Sequence, residues 1–417
     1  MTNARNTETT NGSMPHDAWQ RRRSALAKSP GVATVTRELS DDRALSLAYV
    51  RSGPRASAPV LVIPGGPGLG SVLPYQRFRA AATKHGIDVL MVEHRGVGMS
   101  RKTKDGIDLR PEDITIRDVL GDLTAVLDAE GIEQVTVYGS SYGSYLAGTF
   151  GALYPNRVSG MILDSPMLDA LSKHETAREL NRLYWHGTET TTEHASRVRE
   201  LVDRGTIPVG DAGLPIQLLH ESGGPELVAT MLTLLERGKG ARVWSWLNRL
   251  GATDVMETRP FLMEFDLVAR SAFTELGYGL PHEPTLGPLR SDESFVGLAD
   301  RFPPFAADPV DIRGALAGFD WPMLVLSGDR DVRTPRTVAE HVIAHAANAV
   351  LVPIEQHGHS ALDTAQHLAI NAIRNFANVQ RTSPAPGAAK QTAQRSIIAR
   401  LISFRLALAK VLPKAAS

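Results

Sequence analysis

The sequence predicts an α/β protein: a mostly parallel sheet covered by helices on both faces, interrupted by a helical insertion. Three observations lead there. Short apolar, β-branched runs recur at residues 60–64, 88–93, 135–138, 158–164, 323–327 and 349–354, most followed by segments of helical period. Several of these runs end in glycine-rich or polar turns, the places where parallel α/β sheets present functional residues. Between about residues 168 and 313 the strand-like runs vanish and helical patterns dominate.

In chain order, residues 1–32 read as a tail with one short helical patch. Residues 33–39 and 45–51 alternate around Ser40-Asp41-Asp42, a hairpin signature. Residues 60–64 form a buried strand that runs into Gly65-Gly66-Pro67-Gly68, and residues 88–93 another that runs into His94-Arg95-Gly96-Val97-Gly98-Met99-Ser100. Ile116, Val119, Leu120, Leu123, Val126 and Leu127 share one helical face. The strand 135–138, a tight turn, a helix over 145–154 and the strand 158–164 complete a first sheet segment, 33–168. Residues 169–313 read as a helical cap, with helices over 224–235, 243–250 and 260–276. The α/β rhythm returns over 314–380, with helices near 336–345 and 361–376.

Residues 381–417 are a different kind of sequence. Thr382 to Gly387 is a linker. The rest carries apolar residues with seven Lys/Arg and no Asp/Glu over 381–417. On a helical wheel Ile397, Ile398, Leu401, Leu408 and Leu412 share a side, with Arg405 among them. Two expectations follow: weak contact with an anionic membrane surface, or a helix docked on its own protein or a partner.

Composition excludes several classes. The 417 residues are 42% hydrophobic and 22% charged, with zero formal net charge, so nothing draws the chain to nucleic acid. The absence of cysteine excludes disulfides, thiolate metal sites and cysteine nucleophiles, and fits a reducing compartment. Residues 1–15 are polar, without the apolar core of a secretory signal, and Arg21-Arg22-Arg23 lacks the apolar run of a twin-arginine signal. No apolar run reaches the 18 or so residues of a membrane span. The expected location is cytoplasmic, with neither metal nor cofactor.

The chemistry centres on Gly139-Ser140-Ser141-Tyr142-Gly143, a G-x-S-x-G between a strand and a helix. In that setting it forms a nucleophile elbow; elsewhere the same five residues are only a flexible turn. A serine needs a base, and the base works best with an acid to orient it. In such sheets the partners follow in the order Ser, Asp/Glu, His, on loops after later strands. The strand 323–327 runs into Gly328-Asp329-Arg330-Asp331, and the strand 349–354 into Gln356-His357-Gly358-His359-Ser360. Asp331 sits deeper in its loop than Asp329, just before Thr334-Pro335. Gly358 gives His359 a close approach, and Ser360 can cap the next helix. Asp331 and His359 are therefore preferred to Asp329 and His357. The backbone N–H groups of Tyr142 and Gly66 are the candidate oxyanion donors.

Together these motifs resemble the α/β-hydrolase superfamily and, within it, the prolyl aminopeptidases (proline iminopeptidases) and tripeptidyl aminopeptidases. Pro64 to Gly68 stands where that family has His-Gly-Gly-Pro-Gly, and Glu93 to Ser100 where it has Asp-Gln-Arg-Gly-x-Gly-x-Ser. The form from Ser141 to Leu146 leans toward the tripeptidyl branch. The resemblance covers about residues 33–168 and 318–377. It implies a serine hydrolase that releases an N-terminal residue or short peptide from a small substrate; an esterase or thioesterase is the alternative. Epoxide hydrolase or dehalogenase chemistry is disfavoured, since those relatives carry Asp at the elbow. The resemblance also implies an acidic cap residue that holds the substrate's amino group. Glu221, Glu226, Glu264 and Glu275 are available and the sequence does not single one out; Glu264, a carboxylate amid Phe261, Leu262, Met263 and Phe265, either lines a cleft or is a solvated helix glutamate.

Overall fold

In a computed structural model the described residues are 14–256, 258–379, 391–392 and 396–411. They contain a nine-stranded sheet of order β1-β2-β4-β3-β5-β6-β7-β8-β9. The first strands, β1 (Val32–Glu38) and β2 (Ala44–Ser52), are the anticipated hairpin, with β2 antiparallel to β4 (Val89–Val92). From β4 onward every pairing is parallel: β3 (Val60–Ile63), β5 (Val135–Ser140), β6 (Val158–Asp164), β7 (Met323–Gly328), β8 (Ala349–Glu355) and β9 (Gln391–Thr392). The central strands β3, β4, β5 and β7 are buried at every position, which explains their unbroken apolar runs.

Two apolar clusters cover the two faces. On one, helices α3 (Ile116–Ala129) and α4 (Tyr142–Leu153) pack with α10 (Arg336–His345). On the other lie α2 (Gln76–Lys84) and α11 (Gln366–Val379). The helical patch near the start of the chain is α1 (His16–Ala27). It is docked rather than loose: Trp19 is buried and stacks on Phe261, ring centroids 5.9 Å apart.

Between β6 and β7 the chain leaves the sheet for helices α5 (Ser172–Asn181), α6 (Thr192–Asp203), α7 (Gly213–Glu236), α8 (Ala241–Met256) and α9 (Phe265–Glu275). Several helix bounds differ from expectation: the helix expected over 243–250 is Ala241–Met256, that expected over 361–376 is a single turn at Ala361–Thr364 followed by α11, and two more differ for a local reason. Helix α7 begins eleven residues before Gly224 and is broken there, because Gly224 has φ 72 and Pro225 starts the second half. Helix α9 begins at Phe265 and not at Pro260, because Phe261 takes φ 65 and residues 260–264 form a turn. A third cluster gathers α5 to α8 with α12 (Ile397–Val411), which lies on α7 and α8 through Ile402 and Leu406. The linker 382–387 and Leu412 lie outside the described residues.

Candidate active site

The strand β5 ends in a turn whose geometry only its sequence permits. Ser141 has φ 55 and ψ −122, a conformation non-glycine residues rarely hold. A Cβ on Gly139 would lie 2.2 Å from the carbonyl oxygen of Gly143, and one on Gly143 would lie 2.1 Å from that of Ile63. Both glycines are therefore required by backbone crossing backbone. The Ser141 N–H donates to the Asp164 carbonyl (2.9 Å), which ties the turn to the end of β6. Helix α4 starts at once, so the N–H of Tyr142, its first residue, has no acceptor four residues back.

The loops after β7 and β8 bring the partners. The Ser141 hydroxyl lies 2.8 Å from His359 Nε2, and His359 Nδ1 lies 3.0 Å from Asp331 Oδ2. Asp331 also accepts from the backbone N–H groups of Arg333 and Thr334 (both 3.0 Å) and from the Thr334 hydroxyl (2.9 Å). Its burial raises the carboxyl pKa, but the charge and hydrogen bond of His359 and the Thr334 N–H outweigh that and hold it at about 2. Burial likewise opposes the His359 imidazolium, but Asp331 outweighs it and raises the pKa above the ordinary histidine value. Asp329 does other work: it accepts from the His357 N–H (3.0 Å) and fixes the turn.

Apart from the Ser360 cap, the polar network beneath His359 was not legible in the sequence. Ser360 caps a single helical turn by accepting from the Asp363 N–H (3.2 Å). Its hydroxyl lies 2.7 Å from Asp363 and 2.8 Å from the Ser140 hydroxyl, and its N–H donates to Ser165 (2.9 Å). Asp164 accepts from the N–H groups of Ala361 and Leu362 and from the Tyr138 hydroxyl. Tyr75 donates to Asp363 (2.5 Å). The signal was there only as Asp164-Ser165, two polar residues closing a buried strand.

Gly66 follows β3 and faces the same cavity as Ser141 and His359. It has φ 122, and a Cβ on it would lie 2.7 Å from the Gly68 nitrogen. A Cβ on Gly65 would sit 3.3 Å from that of Ser141, so this loop passes directly over the serine. One departure from the resembled motifs, Glu93 in place of the family's Asp, sits in a self-consistent loop. Glu93, fully buried, accepts from the N–H groups of Ser71 (2.5 Å), Val72 (2.8 Å) and Met99 (3.2 Å). Arg95 pairs with Asp122 through two bonds of 2.6 and 2.7 Å.

The cavity above Ser141 holds about 250 Å³. Sheet-side loops supply its floor. Its cap wall is apolar at Leu214, Leu218, Leu276, Tyr278 and Phe295 and charged at Lys173 and Asp292, and the sheet-side loop after β7 adds Arg333. Glu264 is not on that wall. Its carboxylate is 1% exposed and is bound by the N–H groups of Gly98 and Phe261 and by Arg101. Burial, only partly opposed by these partners, raises its pKa to about 7. It therefore clasps the cap to the loop after β4 instead of facing a substrate. The other named acids are also placed elsewhere: Glu221 pairs with Arg333 (3.0 Å), Glu275 accepts from the Ile116 N–H (3.0 Å), and Glu226 is exposed. The carboxylate on the cavity wall is Asp292, which sequence reasoning missed. Arg290 holds its Oδ1 (3.0 and 3.1 Å), and Lys173 lies 4.0 Å from its Oδ2. Lys173 donates to the Leu280 carbonyl (2.8 Å), and burial lowers its pKa to about 8. Among the described residues no group of His, Asp and Glu could hold a metal ion.

Residues 58–206 match the family model described as alpha/beta hydrolase fold, and residues 304–384 match that of TAP-like protein. The proline iminopeptidase of Neisseria meningitidis is 30% identical over 115 residues, 28% of this chain and 34% of that protein. Epoxide hydrolase B of Mycobacterium tuberculosis is 35% identical over 77 residues, 18% of this chain and 20% of that protein. The chain thus spans about a third or less of the length of the curated relatives it matches. A thermophilic esterase from Thermogutta terrifontis superposes with a TM-score of 0.48 at 18% identity, over 84% of this chain and all of that one. The chain has the α/β-hydrolase fold and resembles the prolyl and tripeptidyl aminopeptidases.

Proposed function

We propose that this α/β-hydrolase chain is a serine hydrolase that acts as an aminopeptidase, releasing an N-terminal residue or short peptide through an acyl-enzyme. The observation that carries the first part is the unbroken chain of contacts from Ser141 through His359 to Asp331, at 2.8 and 3.0 Å. In this reading His359 Nε2 takes the hydroxyl proton as the Ser141 oxygen attacks the carbonyl carbon. Asp331 fixes the tautomer and stabilises the imidazolium. The N–H groups of Gly66 and Tyr142 bind the oxyanion. His359 then gives its proton to the leaving amine, and water, activated by the same imidazole, releases the acyl group.

The aminopeptidase part rests on the resemblance and on Asp292. A free α-amino group entering a largely apolar cavity needs a carboxylate, and Asp292 is on the wall. A second reading, an esterase, is favoured by a different observation: the same wall carries Lys173 and Arg333, and the remaining lining is largely apolar. Hydrolysis of prolyl and alanyl chromogenic amides, free and N-acetylated, beside a p-nitrophenyl ester, separates the two. Cleavage that requires the free amine establishes the aminopeptidase. Ester cleavage alone, indifferent to the amine, overturns it in favour of the esterase. Full activity in Ser141→Ala sinks both.

A further inference from the structure

Ten large apolar side chains are exposed among the described residues, and six of them lie on the 15 residues of α12. Such concentration is not the ordinary scatter of surface leucines. The helix carries two apolar stripes. One, Ala399, Ile402 and Leu406, is buried against α7 and α8. The opposite stripe is Ile397, Leu401, Phe404, Leu408 and Val411, between 43% and 83% exposed. Its 4-3-4-3 spacing puts all five on one line along the outer face. Arg400 and Arg405 flank that line on either side and are exposed. Arg405 is held in place, its guanidinium 4.3 Å over the Trp246 ring.

We propose that the outer face of α12 seats the protein on an anionic membrane surface. The docked stripe anchors the helix to the cap, and the outer stripe enters the boundary between headgroups and acyl chains, with the arginines at the level of the lipid phosphates. Charge selects this occupant. Residues 381–417 contain no Asp or Glu, so the helix offers cations only, and cations are attracted to an anionic leaflet. A second copy of the helix would bring Arg400 and Arg405 against their own kind, which disfavours pairing between copies. The helix lies on the surface and does not cross it: no described helix is long and apolar enough to span.

The test is co-sedimentation of the full chain with phosphatidylglycerol–phosphatidylcholine vesicles and with phosphatidylcholine alone. The comparison variant is L401S/F404S/L408S, whose altered side chains all point away from the cap. We expect wild type to bind the anionic vesicles, to release them as salt is raised, and to bind the neutral ones weakly. The triple variant should lose at least about tenfold in partition, with an unchanged melting curve and unchanged turnover of a soluble ester. Equal binding by wild type and variant overturns the proposal, as does no vesicle binding at low salt. Sedimentation of wild type as a dimer that the triple variant abolishes, without vesicle binding, assigns the face to a second copy and overturns it equally.

Discussion

At the carboxyl ends of the strands Ser141 is held by main chain: Gly143 against Ile63, Gly139 against Gly143, and the Ser141 N–H on the Asp164 carbonyl. Across the cavity the cap wall is held by side chains, Arg290 on Asp292, Lys173 on Leu280, and Glu221 on Arg333 of the loop after β7. The difference teaches where precision comes from. A backbone crossing where an added Cβ would lie 2.1 Å from a carbonyl oxygen tolerates one residue type and leaves a short, readable motif. A side-chain pair between elements far apart in sequence tolerates many solutions and leaves none. The cap wall is therefore the adaptable half, and substitutions there should tune substrate choice while those at the rim abolish chemistry or folding.

The most severe way to probe the rim is Ser141→Ala. Turnover should fall by about 10⁴- to 10⁶-fold with the melting temperature unchanged; a variant that kept its rate would remove the serine from the mechanism. Gly143→Ala attacks the same rim through the backbone. The added Cβ meets the Ile63 oxygen, and overpacking of this kind with strain costs on the order of 3 kcal/mol or more. A denaturant melt indistinguishable from wild type would show that the crossing is looser than described.

Glu264 tests the clasp between the two regions. Burial raises its carboxyl from 4.5 to about 7, so the folded protein holds a proton that the unfolded chain releases. Its contribution to stability is fully present below about pH 4.5 and is lost as pH rises through about 7, on the order of 3 kcal/mol in all. Glu264→Gln, which cannot ionise, should flatten the fall in melting temperature between pH 5.5 and 8. Parallel profiles for the two proteins would mean that the clasp carries no proton. The mildest change is Asp292→Asn in the cap wall. KM for free-amine substrates should rise about tenfold, from a lost charge-assisted contact of roughly 1.5 kcal/mol, while ester hydrolysis holds its KM. A uniform loss on both substrates would make Asp292 a prop for Lys173 and Arg290 only.

The legible half was the rim. Strand runs, glycine turns and the Ser…Asp…His order locate Ser141, Asp331 and His359 within reach of one another, because each lies just after a strand whose place in the sheet follows from its burial. The second layer escaped, since Tyr75, Asp164 and Asp363 meet only through folding across 288 residues of sequence between the first and last. Glu264 shows why the cap was harder. An apolar neighbourhood in sequence suggested a cleft, but that neighbourhood is buried, and Gly98, Phe261 and Arg101 claim the carboxylate. Asp292, in a polar stretch of its own, had nothing local to distinguish it.

The docking of α12 also sets an order of events during synthesis. Ile402 and Leu406 complete the same apolar cluster as Met231, Leu232, Leu235, Trp244 and Leu247. A nascent chain that has reached Leu247 therefore carries a hydrophobic cap surface with one side missing. At ribosomal speeds the roughly 160 residues still to come take on the order of 10 to 30 s. For that interval the exposed cap surface is what a chaperone would meet.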